Sequence, residues 1–409
     1  MYAKSLECIA CGETYDLAEV IYGCRRCGHL LEVRYDTKAI TENIEPSVLD
    51  SRKIRSMWRY FELLPVDISK AVSLGEGFTP LVKAERISKS IGAKELYLKL
   101  DFSCPTGSFK DRGSAILASK AAQLGATKLA IDSSGNAATS LAAYSARINR
   151  QCYVFTPSYA STNKLSQASI TGAHVIRIRG TRRDVYETTI RACKEFGWYY
   201  CGFQTNPFAS EGMKTIAFEL CEQMEWVAPE RIVFPVGTGS GLVGCWNGIR
   251  MMLNLGWIRE PSSLVCVQPE GCAPIARAYE HGSRKIEGVD HPKTVAEGLM
   301  IGHPLKGEMV LRALEESRGV ATAVSDDEIL DAAKLLARSE GFFVEPSSAA
   351  SIAGLRSLIE QGRIDQDERI VCILTGAGLK TPETYRALLQ PVPEISPSVD
   401  ELRRLLAGT

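Results

Sequence analysis

Lys110 stands in the run Pro105-Thr106-Gly107-Ser108-Phe109-Lys110-Asp111-Arg112-Gly113, a turn rich in small residues just ahead of a predicted helix at 113–122. A lysine packed beside an aromatic ring is partly desolvated, which lowers its pKa and frees the amine for imine chemistry with an aldehyde cofactor. Three other loops carry complementary groups. Ser133-Ser134-Gly135-Asn136-Ala137 enters a helix N-terminus whose exposed N–H groups suit a carboxylate, and the Asn136 amide can bond a phenolic oxygen. In Gly237-Thr238-Gly239-Ser240-Gly241, three alternate glycines let the backbone close around a phosphate at a helix start. Thr375, in Leu374-Thr375-Gly376-Ala377-Gly378, offers a hydroxyl that can bond a pyridine nitrogen without forcing its protonation.

Each feature taken singly also fits an ordinary element: a solvated lysine, an Asn turn at an N-cap, a Gly-rich strand-to-helix turn, a capping threonine. Together they supply an imine lysine, a ring-oxygen partner, a phosphate cup and a ring-nitrogen partner. That set matches the contacts of pyridoxal phosphate (PLP), held as a Schiff base on Lys110.

The elements that must position these loops follow a βα rhythm. Strand-like runs at 96–98, 129–131, 152–155, 175–178, 231–234, 264–267 and 370–374 alternate with helix-length segments. This pattern predicts an α/β fold with mostly parallel sheets, with ligands at the strand C-terminal ends. The segment around Trp58-Arg59-Tyr60-Phe61 reads as a helix or connector. The tail, with Pro391, Pro393 and Pro397 before Glu401-Leu402-Arg403-Arg404-Leu405-Leu406, reads as a linker and short helix.

The first 36 or so residues stand apart. Cys8-x-x-Cys11, twelve residues, then Cys24-x-x-Cys27, each pair beside a glycine, is the spacing of a tetrahedral four-sulfur zinc site. A segment this short has no core of its own, so the metal would supply folding free energy, and four sulfurs leave no open catalytic position. A redox dithiol pair and a site without metal are the other readings of these cysteines. The remaining nine of 13 cysteines are scattered and fit free thiols in a reducing compartment.

Composition excludes whole classes of function. The 409 residues carry 48 Lys+Arg against 48 Asp+Glu, so no global field draws nucleic acid or an anionic membrane, and a small-molecule partner is expected. Neither a signal-peptide stretch nor about 18 consecutive apolar residues is present, which reads as cytoplasmic. A zinc-ribbon nucleic-acid protein is disfavoured by the neutral charge and the lack of a basic stripe interleaved with aromatics.

The chain resembles PLP enzymes of fold type II, the tryptophan-synthase-β-like group, and most closely the threonine synthase family. The resemblance rests on the Lys110 run, Asn206-Pro207-x-x-x-Glu211-Gly212-x-Lys214-Thr215, Glu345-Pro346-Ser347-Ser348-Ala349-Ala350-Ser351 and Leu374-Thr375-Gly376-x-Gly378-Leu379-Lys380. It implies two α/β domains with the active site between them, plus the zinc-ribbon-like segment. The expected divisions are 1–40 for the ribbon, 41–110 with 205–385 for a large PLP-binding domain, 111–204 for a small domain, and 386–409 for the linker and helix. It also implies that Lys110 carries PLP, Asn136 meets the ring 3′-oxygen, Gly237 to Gly241 hold its phosphate, and Thr375 faces the ring nitrogen. Ser133, Ser134, Ala137, Lys164 and Asn206 are the implied substrate contacts, with the substrate phosphate near 161–183, and the assembly a homodimer.

The departures fall around the substrate. A threonine usually stands at Ala137, a histidine is common at Ala377, and the phosphate loop of the family is often of the Gly-Asn-Ala-Gly-Asn kind where this chain has Gly237-Thr238-Gly239-Ser240-Gly241. The implied reaction is O-phosphohomoserine and water to threonine and phosphate. Cysteate synthase, another β-replacement enzyme, a serine or threonine deaminase, and a regulator that keeps the fold without activity remain the competing readings.

Overall fold

A computed structural model describes residues 1–158, 160, 162–389 and 392–407. Ser161, in the expected substrate-phosphate region, and Pro391, in the expected linker, lie outside them.

Three sheets organise the chain. The first is a small antiparallel sheet of β1 (Ala3–Cys8), β2 (Thr14–Tyr15) and β3 (Leu31–Tyr35), in the order β2-β1-β3. After each C-x-x-C pair a glycine turns the chain back: Gly12 and Gly28 have φ of 72° and 77°, and their N–H groups donate to the carbonyls of Cys8 and Cys24. Only glycine takes this left-handed conformation without strain.

The large sheet contains β4 (Leu81–Lys83), β5 (Glu95–Lys99), β10 (Arg231–Pro235), β11 (Ser263–Pro269), β12 (Val320–Val324) and β13 (Arg369–Ile373), ordered β12-β11-β10-β13-β5-β4. Only the edge strand β4 runs antiparallel, against β5. A fully parallel four-stranded sheet, ordered β8-β7-β6-β9, takes in β6 (Lys128–Asp132), β7 (Gln151–Pro157), β8 (His174–Ile178) and β9 (Tyr199–Tyr200). All seven strand-like runs of the sequence are strands. The central ones are buried on both faces, as continuous apolar runs such as Ile232-Val233-Phe234 require.

The Trp58 segment is a 3-10 turn, Met57–Leu63, and the tail ends in the helix Val399–Ala407. No helix among the described residues is long and apolar enough to cross a membrane. The nine scattered cysteines are free and buried, with Cys266 and Cys372 on central strands.

A buried charge cluster fixes the helix Lys110–Gln123. Arg112, fully buried, pairs with Asp101 at 2.8 Å and Glu219 at 2.5 Å, while Lys99 reaches Glu219 at 2.9 Å. Burial pushes the Glu219 carboxyl up, but the Arg112 and Lys99 charges overcome it and hold the group at about 2. Removing one member would strand its partners, at a cost of roughly 3–5 kcal/mol. On the preceding position, Asp111 accepts from Thr106 N at 2.7 Å and from Ser140 Oγ at 2.6 Å, joining the turn before Lys110 to the helix Asn136–Arg147.

Candidate active site

The strand C-terminal ends gather the loops. Lys110 opens its helix, Ser133 to Asn136 follow β6, Gly237 to Gly241 follow β10, and Thr375 follows β13. The Lys110 and Thr375 segments touch directly: Phe109 N donates to Thr375 O at 2.9 Å, and Ser108 bridges Gly376.

The Lys110 ammonium lies 4.4 Å from the Phe109 ring centre and 4.9 Å from that of Phe203, with no ion pair among the described residues. Burial lowers its pKa to about 8, against the pull of Glu345. The Gly237 loop is pressed onto this lysine's neighbour. A Cβ on Gly241 would stand 2.9 Å from the Phe109 ring, and one on Gly237 would stand 2.9 Å from Gly298 O. Glycine is required there for close packing.

Asn136 is buried, and its Nδ2 donates to Glu345 Oε1 at 2.7 Å. Ser133 Oγ accepts from Gly135 N at 3.3 Å, Ser134 is half-buried beside it, and Ala137 is buried in the first turn of the helix. Lys164, buried, pairs with Glu297 at 3.1 Å and Glu345 at 3.5 Å; burial lowers its pKa, but these carboxylates outweigh it and raise the value. Thr375 Oγ1 lies 3.2 Å from Ser348 Oγ, which also accepts from Gly376 N at 2.6 Å.

Asn206 stands apart. Its Nδ2 donates to Tyr200 O at 2.8 Å and its Oδ1 accepts from Phe208 N at 3.0 Å, so the side chain closes a turn before the helix Ala209–Gln223.

Glu345 and Ser348 contact these residues and were not singled out as contacts by the sequence, whereas Arg182 falls in the 161–183 stretch where the substrate phosphate is expected. Glu345 and Ser348 lie within a motif the sequence displays, but their reach across the cleft is a tertiary fact. Arg182 NH2 donates to Asp132 O at 3.2 Å, next to the Ser133 loop, while its NH1 is buried without a partner.

The residues fit PLP. Buried polar groups almost always have partners, yet Asn136 Oδ1 and Ser108 Oγ have none. Ser108 bridges Gly376 just ahead of Lys110, and Asn136 reaches the same loop through Glu345, whose N–H donates to Gly376 O, so a ring bearing polar edges there would satisfy both. The second cluster, Cys8, Cys11, Cys24 and Cys27, places all four sulfurs within 4.8 Å of one another, a spacing that a tetrahedral thiophilic metal fits.

Comparison with known proteins agrees with this chemistry. The family described as "Pyridoxal-phosphate dependent enzyme" matches residues 72–376. The threonine synthase of Methanocaldococcus jannaschii is 44% identical over 402 residues, covering 98% of each chain. The threonine synthase of Methanosarcina acetivorans is 39% identical over 404 residues, again with 98% of each covered. Among solved structures, the processed form of threonine deaminase isoform 2 from Solanum lycopersicum superposes with a TM-score of 0.67 at 21% identity, covering 81% of this chain and 87% of that one.

Proposed function

The chain belongs to the threonine synthase family of pyridoxal-phosphate-dependent enzymes, and from that premise we propose that it converts O-phosphohomoserine and water to threonine and inorganic phosphate. The observation that carries the choice of a phosphorylated substrate is Arg182, whose buried, unpartnered NH1 lies beside the helix start that suits a carboxylate. An amino acid ending in a phosphate brings one anion for each of these features.

When bound, PLP supplies an electron-withdrawing ring that stabilises negative charge on the substrate carbons. Lys110 would carry it, Asn136 would bond its ring oxygen, Gly237, Thr238, Gly239, Ser240 and Gly241 would cradle its phosphate, and Thr375 would face its ring nitrogen. Lys110 Nζ takes the proton from the substrate α-carbon. With a pKa near 8, about a tenth of this amine is unprotonated at neutral pH, far more than of an ordinary lysine. Phe109 and Phe203 keep water from it. Thr375, backed by Ser348, presents a hydroxyl rather than a charge to the ring nitrogen. Ser133, Ser134 and the amides at Asn136 and Ala137 hold the substrate carboxylate, and Lys164 and Arg182 hold its phosphate. Asn206 serves this pocket by fixing the turn before the helix Ala209–Gln223.

The four N-terminal thiols hold a structural Zn2+. Residues 1–40 then form the ribbon, 41–110 with 205–385 the large domain, 111–204 the small domain and 386–409 the tail. The four-stranded sheet supports this division, since all its strands come from within 128–200. The buried free thiols favour a reducing cytoplasm, and family resemblance favours a homodimer.

Incubation of the purified protein with O-phosphohomoserine should release phosphate and threonine in equal amounts. Release of neither, with turnover of O-phosphoserine plus sulfite or ammonia release from serine or threonine, would replace this reading with cysteate synthase or a deaminase.

A further inference from the structure

The loop expected at the cofactor phosphate has no hydroxyl proton to offer. Ser240 Oγ donates to Phe203 O at 2.8 Å, and Thr238 Oγ1 lies 3.1 Å from Ser240 Oγ. Since the single Ser240 proton is engaged, Thr238 is the donor in that pair. The loop therefore presents backbone N–H groups alone, and those carry only partial charge.

A full charge lies alongside. Gly239 has φ of 88°, and a Cβ there would stand 3.4 Å from Lys306 Cβ, so the Lys306 side chain starts against the loop. Lys306 is 3% exposed, and its Nζ donates to Ser210 Oγ at 2.9 Å. It makes no ion pair among the described residues. The carboxylate on the neighbouring position of that helix, Glu211, is engaged by Lys214 at 2.7 Å and by Tyr35 at 2.5 Å. An ammonium removed from water with one neutral partner is costly unless an anion accompanies it. Lys110 is a second ammonium without a carboxylate in contact, and burial lowers each amine to about 8. Two such cations beside one helix start make a cavity that lacks a compact, doubly charged anion.

Resting on the PLP reading above, we propose that Lys306 is the counter-charge of the cofactor phosphate, held beside the loop by Ser210 and replacing the hydroxyl donors that Thr238 and Ser240 withhold. Its ammonium then sets how strongly the protein prefers the phosphorylated cofactor.

The test compares PLP with pyridoxal, which has the same aldehyde and ring but no phosphate. Cofactor-free wild type, K306Q and K306R are titrated with each, following absorbance and protein fluorescence, with melting curves as a check of folding. K306Q should bind PLP roughly tenfold or more weakly while pyridoxal affinity stays within about twofold. K306R should recover most of the preference, and inorganic phosphate should compete with PLP more strongly in wild type than in K306Q. Equal losses for both ligands, or no loss for either, would overturn the assignment. So would unchanged PLP affinity with a raised KM for O-phosphohomoserine, which would give Lys306 to the substrate phosphate. If wild type takes up no PLP through Lys110, seen as no K110A-sensitive visible band, the cofactor reading itself falls and this assignment with it.

Discussion

The Asn136 amide donates to Glu345 Oε1 at 2.7 Å across 209 residues of chain, tying the loop after β6 to the start of the helix Pro346–Glu360 beside the large sheet. Glu345 also meets Lys164 at 3.5 Å. E345A would leave the buried Asn136 amide without its acceptor and the Lys164 ammonium with Glu297 alone, and should lower unfolding stability by about 1–3 kcal/mol in urea denaturation. E345Q retains an acceptor for Asn136 but no charge for Lys164, so it should lose less stability.

Lys110 has to be neutral to condense with an aldehyde, and burial lowers its pKa to about 8. The lowered value means that the neutral fraction grows as pH rises and saturates above the pKa. The rate of PLP uptake by cofactor-free protein should therefore climb about tenfold per pH unit below roughly 7.5 and level off above about 8. A stopped-flow series across pH 6 to 10 reads this, and a plateau only near the ordinary lysine value would contradict the desolvated setting. K110A should abolish both the visible band and turnover.

Arg182 and Lys164 are the proposed partners of the substrate phosphate. R182Q should raise the KM for O-phosphohomoserine about tenfold or more, the loss of one charge-assisted bond. PLP absorbance and affinity should be unchanged, because no cofactor contact is assigned to Arg182. Steady-state kinetics and a cofactor titration on the same variant separate the two effects.

A methyl group at Gly241 would enter the Phe109 ring at 2.9 Å. G241A should cost about 1–3 kcal/mol through overpacking, and should weaken retention of PLP because the displaced ring shields Lys110. Gel filtration followed by absorbance measures retained cofactor. Wild-type retention would show that the loop can give way there.

The N-terminal ribbon touches both parallel-sheet units. Tyr22 accepts from Tyr200 N at 2.8 Å, and Tyr35 donates to Glu211 at 2.5 Å. Elemental analysis should find about one zinc per chain. Chelation or C24S should remove it and lower Tm by several degrees. A chain that carries no metal as purified, and whose Tm ignores chelators, would favour the redox reading of these cysteines.

Much of the site was legible because each loop is contiguous and follows its own strand. Lys110, Gly237 to Gly241 and Thr375 needed only a strand, a turn and the right residue types. Within the two larger sheets, three strands passed unnoticed for physical reasons. β9 is two residues long, β4 is a three-residue edge, and β12, Val-Ala-Thr-Ala-Val, spreads its apolar character too thinly to stand out. The partners Glu345 and Lys306 were invisible as partners because their roles depend on which distant atoms they meet. Asn206 illustrates the converse: its motif stands out in the sequence, but its amide is taken up by local backbone.

Arg112, two positions beyond Lys110, projects to the opposite side of the same helix, where Asp101 and Glu219 grip it. The reactive amine thus works as the free tip of a four-carbon arm whose shoulder is bolted to the frame. An amine that would both carry the cofactor and move a proton, as proposed, needs this asymmetry. Among the described residues the arm carries no ion pair at its tip while its origin stays put, so the amine is always presented from the same place.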